Sequence, residues 1–178
     1  MSTPPSIQVG LAKPVDRVVG HSWPVSDGNP LEFTAADDHR TLVIRFPSDR
    51  TWTTQSKITF FSQKNGQVAS IVATPLNEAV DFSVALDHLR NATEELKIAQ
   101  DSLVVQRLGE WLTKPPSWSP FATKSVGCKL EPGITFFAEI KPANEDNKWY
   151  LSYHFTVDRF FADGSKAPTS QPEEHAEP

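Results

Sequence analysis

The dipeptide Asn65-Gly66 sits between two β-branched and aromatic runs, in KITFFSQKNGQVASIVA over residues 57–73, and nothing else in the chain constrains its fold as tightly. Asn-Gly tolerates both positive φ values of a type I′ turn, whose twist matches that of paired strands. A two-residue loop pairs Lys64 with Gln67. Period-2 alternation then puts Ile58, Phe60, Ala69, Ile71 and Ala73 on one face, and Thr59, Phe61, Val68, Ser70 and Val72 on the other. Both faces are largely apolar, so the pair is either covered on both sides or holds one face for a partner.

A second alternating pair lies near the C-terminus, in residues 134–141 and 148–157 around the polar stretch PANEDN. Ile134, Phe136, Ala138 and Ile140 share a face with Trp149, Leu151, Tyr153, Phe155 and Val157, the pattern of a half-buried antiparallel sheet. The reverse face carries Phe137, Glu139, Lys141, Tyr150, Ser152, His154 and Thr156. Residues 41–46, TLVIRF, predict one further strand that Pro47 ends.

Between the pairs, residues 79–112 contain no proline, and Phe82, Ala85, Leu86, Leu89, Ala92, Leu96, Ala99 and Leu103 recur at steps of three and four. The spacing predicts one long amphipathic helix, with a bend or break near Asp101-Ser102, stopped by Pro115-Pro116. The expected fold is therefore α+β: an antiparallel sheet of two main hairpins plus an additional strand, packed against this one long central helix.

Proline marks the rest. The chain has 15 Pro against 8 Gly, gathered mostly in residues 1–30, 114–132 and 168–178. Proline fixes φ and deletes a donor, so residues 1–30 predict an extended arm holding at most short edge strands. Residues 31–166 form the single domain expected of 178 residues, and 167–178 an acidic, Pro-rich tail. Residues 114–133 lack periodicity and read as a surface loop that Trp118 and Phe121 would anchor.

Several chemistries have no support in the sequence. Phosphate-cradling glycine loops, HExxH, GxSxG and the EF-hand loop are all absent, so no cofactor or metal is expected. A formal charge of −5 argues against a duplex-DNA footprint. With no apolar run long enough to span a bilayer, no secretory signal pattern and a single cysteine, a cytoplasmic location without membrane contact is the simplest expectation. Three weak constellations remain. Asp37-Asp38-His39-Arg40 offers two carboxylates and an imidazole, but adjacent residues rarely converge on one ion and the stretch reads better as a polar turn before the strand at Thr41. Cys128 needs His21, His88 or His154 as an activating base, and a lone cysteine is more often a small buried hydrophobe. Asn91-Ala92-Thr93 fits a glycosylation triplet but falls inside the predicted helix.

The resulting expectation is a non-catalytic protein-interaction or assembly component, a small structural or regulatory subunit that self-associates or takes a protein partner through its extended arms and an apolar sheet face. Phe61, Val68, Val72, Trp118 and Phe121 are the candidate partner-binding residues. The alternative is a single-stranded nucleic-acid binder using Phe137, Lys141, Tyr150 and His154; the even spread of Lys and Arg along the chain weighs against it. An enzyme of unknown type ranks third.

Overall fold

A computed structural model describes residues 7–11, 32–62, 68–113, 123–143 and 148–157. Among these residues eight strands form one mixed sheet: β1 (Ile7–Gly10), β2 (Glu32–Arg45), β3 (Thr51–Ser62), β4 (Val68–Thr74), β5 (Val80–Asp81), β6 (Lys124–Glu131), β7 (Ile134–Pro142) and β8 (Lys148–Val157). The order is β1-β2-β3-β4-β8-β7-β6, with β5 pairing β8 off this path. All neighbours are antiparallel except β1, which runs parallel to β2.

The α+β expectation is thereby corrected. β3 and β4 pair with Phe60 opposite Ile71, and β7 and β8 with Phe136 opposite Phe155. These pairs are not two main hairpins standing beside an extra strand, because β4 pairs β8 directly, Ile71 opposite Phe155, and fuses everything into one mainly β structure. Apolar residues on both strands of each pair make that junction favourable, since β4 and β8 present matching buried faces.

The single long helix is corrected as well. Two short helices replace it, α1 (Phe82–Glu95) and α2 (Leu103–Thr113). Lys97 takes a left-handed conformation, φ 50, just past the C-cap Leu96. The Ile98 amide donates to the Thr93 carbonyl at 2.9 Å and the Lys97 amide to the Glu94 carbonyl at 3.0 Å. These are the two bonds of a Schellman stop. Buried Ile98 seals the turn, and Arg50 Nη1 donates to the Leu96 carbonyl at 2.8 Å, so the end of α1 is satisfied from outside the helix.

Both helices lie on one face of the sheet. Ala85, Leu86, Leu89 and Ala92 of α1, with Val104 and Leu108 of α2, are buried against Ile58, Phe60, Ile71, Leu151 and their neighbours. The predicted core alternation of residues 134–141 and 148–157 holds here: Ile134, Phe136, Ala138, Ile140, Leu151, Tyr153 and Phe155 are all at most 2% exposed. An aromatic cluster occupies the middle, with ring centroids of Trp52 and Phe155 5.3 Å apart, Phe136 and Phe155 5.4 Å, and Trp52 and Tyr153 5.7 Å. Burying each such ring contributes about 1.5–3 kcal/mol, enough to fix which face of the sheet turns inward.

Candidate functional site: the outer sheet face

A strand has only two faces, so the inward turn of Phe136, Phe155 and Ile71 commits their neighbours to the opposite side. Strand register sets who meets whom there. Gly127 of β6 lies opposite Phe137 of β7, Phe137 opposite His154 of β8, His154 opposite Val72 of β4, and Val72 opposite Thr59 of β3. This row crosses five strands, about 19 Å at a strand spacing of about 4.8 Å. Two rows away, past Glu139 and Ser152, Tyr150 faces Lys141, and one row away on the other side Phe61 faces Ser70. Phe137 and Tyr150 are 38% and 46% exposed, high for aromatic residues inside strands. No helix among the described residues lies on this side.

Gly127 shapes the row. A Cβ built there would sit 2.8 Å from the Phe136 carbonyl oxygen and nearer still to the Phe137 ring, so the ring leans across backbone that only glycine leaves free. His154 is half-buried between neighbours. Ser152 Oγ and His154 Nε2 are 3.1 Å apart, and burial lowers the imidazole pKa below its ordinary value, partly opposed by the Glu139 carboxylate.

The charge on this face was not apparent from the sequence. Lys57, Lys129 and Lys141 are each exposed. Their register partners Thr74, Thr135 and Tyr150 all belong to the outer side. They come from three separate strands and lie about 15–25 Å apart by register, spread over the face rather than clustered. Glu139 is the acid set among them, and Lys148 is engaged with Asp81 at 3.1 Å.

Both sets of candidate residues bear on this surface. Phe61 and Val72 from the first set, and Phe137, Lys141, Tyr150 and His154 from the second, share the outer face. Val68 falls in β4, but its side chain lies outside the described residues, as do Trp118 and Phe121. Gly127, Lys57 and Lys129 were missed. Alternation of Val126, Cys128 and Leu130 was the available signal for β6 and hence for the placement of Gly127 and Lys129.

The weaker constellations separate. Cys128 pairs with Phe136 on the inner side, half-buried, whereas His154 is on the outer side; burial pushes the Cys128 thiol pKa up, away from the reactive thiolate. His88 is exposed on α1, and His21 lies outside the described residues. Asp37, Asp38 and His39 fall in β2 rather than in a turn, where pairing with β3 shifts register between Ala36 and Arg40. Both His39 ring nitrogens are buried without a hydrogen-bond partner, and among the described residues no group of three or more His, Cys, Asp or Glu is placed to hold a metal ion. Asn91 lies within α1, where Thr93 Oγ1 donates to the Arg90 carbonyl at 2.7 Å. No described helix is long and apolar enough to cross a membrane.

Comparison with protein-family models, with curated proteins and with solved structures finds no match to this chain.

Proposed function

We propose that the protein is a non-catalytic interaction component whose working surface is the outer sheet face. The observation that carries this reading is the asymmetry of the sheet: helices α1 and α2 cover one side, while the other presents Phe137 and Tyr150 at 38% and 46% exposure in the middle of ordered strands. Aromatic side chains on a rigid sheet lose little freedom on docking and supply much of the contact energy of macromolecular interfaces. A second copy of the chain or a different macromolecule would use the same surface.

Hydroxyl-radical footprinting of the full chain, read beside its sedimentation mass, tests the proposal. Oxidation of Phe137 and Tyr150 in a 19.8 kDa monomer, with buried Tyr153 spared, supports an open face. Protection of both in a species of higher mass supports assembly through that face. Protection of both in a monomer means that the chain covers the face itself, and contradicts the proposal.

A further inference from the structure

Among the described residues, the outer face carries net positive charge within an acidic chain. Lys57, Lys129 and Lys141 are exposed on it against Glu139, while the whole chain carries −5. Two copies placed face to face would bring like net charge together, which disfavours a symmetric pair. The same charges favour an anionic occupant, and the rings beside them narrow its chemistry. Phe137 leans over the Gly127 backbone, next to His154, and Tyr150 lies directly across from Lys141. Strand-borne aromatics flanked by cations form a platform on which unpaired bases stack while lysines meet the phosphates. A compact anion would leave the rings unused, and a duplex hides its base faces.

We infer that this face binds single-stranded nucleic acid, with bases against Phe137 and Tyr150 and phosphates at Lys57, Lys129 and Lys141. The inference rests on the outer face being the working surface and names its occupant. Affinity is modest and salt-dependent, because the contacting charge is three lysines and one acid stands among them.

The test is fluorescence anisotropy of a labelled 20-residue oligothymidylate with the full-length protein at 20 mM and 200 mM salt, with polyglutamate of matched charge as competitor. Phe137→Ser, Tyr150→Ser and Lys129→Gln are the variants, each checked for an unchanged thermal midpoint. Binding at 20 mM salt, weakened about tenfold by each aromatic substitution, is expected. Lys129→Gln should flatten the slope of log affinity against log salt by about 0.7, the value for one single-strand phosphate contact. Absence of strand binding at 20 mM salt overturns the inference. So does binding that none of the three variants weakens. If polyglutamate competes as well as the strand and Phe137→Ser leaves both unaffected, the occupant is an acidic polypeptide, which overturns this inference while leaving the working surface in place. Failure of the surface itself shows separately, as protection of Phe137 and Tyr150 in the free monomer.

Discussion

Arg50 and Glu131, 81 residues apart in the chain, meet with Nη2 2.8 Å from Oε1 and Nε donating to the same oxygen at 2.8 Å. The Glu131 side chain is only 7% exposed and also accepts from the Ser48 amide and hydroxyl. Arg50 reaches in a third direction to the Leu96 carbonyl and lies with Cζ 5.4 Å from the Phe46 ring centroid. One guanidinium thus ties the β2–β3 turn, the end of α1 and the β6–β7 turn together. Burial pushes the Glu131 pKa up, but hydrogen bonds from Ser48 and Arg50 outweigh it and hold the carboxyl below its ordinary value. Arg50→Ala leaves that carboxylate and the helix carbonyl without their partner and is expected to cost about 2 kcal/mol in urea denaturation. Arg50→Lys should recover only a small part of it, since an ammonium cannot serve three directions at once; full recovery would show that charge alone matters.

Lys97 adopts φ 50 at the position that ends α1, where a side chain is strained and glycine is not. Because its side chain is exposed, Lys97→Gly removes strain without removing packing. A gain of about 0.5–1 kcal/mol in unfolding free energy is expected. A loss would mean that the stop at Leu96 is set elsewhere.

Gly127→Ala places a methyl group against the Phe136 carbonyl and the Phe137 ring. Overpacking of this kind is expected to cost about 1–3 kcal/mol. Part of the loss should vanish in a Phe137→Ser background, where only the carbonyl contact remains; identical losses in both backgrounds would show that the ring plays no part.

His154 has a pKa lowered by burial, with Glu139 opposing. The unfolded chain therefore takes up this proton first as pH falls, so the native state loses stability from about pH 6.5 downward until the folded imidazole itself titrates. Thermal unfolding at pH 7.5 and 5.5 should show a smaller drop for His154→Gln than for the parent. Equal drops would place the titration on other groups.

How far the fold was legible follows from what each signal measures. Alternation in residues 134–141 and 148–157 is a local pattern with a direct structural consequence; Phe60 pairs Ile71 in the predicted register, but the register shifts at Ser62, which pairs Val68, and the Asn65-Gly66 turn lies outside the described residues. The break after Glu95 was not legible, because lysine at a left-handed position carries no signature and the apolar spacing of Leu96, Ala99 and Leu103 continues through it. β2 was foreshortened to residues 41–46 since Asp37-Asp38-His39-Arg40 resembles a turn; the 12 residues of β3 offer backbone partners that outweigh local polarity, and register shifts absorb the misfit. β6 looked like loop because Gly127 interrupts a weak pattern. The Pro132-Gly133 link, with Gly133 at φ 79, is the pattern of a type II turn folding that segment back onto β7. For the site, the rings of the outer face were readable strand by strand, whereas the placement of Lys57, Lys129 and Lys141 on one common face depends on strand order, which a single sequence does not encode locally.

The most direct measurement of the central claim is a backbone amide chemical-shift map of the full-length protein titrated with unlabelled oligothymidylate at 20 mM salt. Perturbations concentrated at Gly127, Lys129, Phe137, Lys141, Tyr150 and His154, with the amides of α1 and α2 unmoved, are the predicted result. Perturbations centred on the helices, or none at saturating strand, would contradict it.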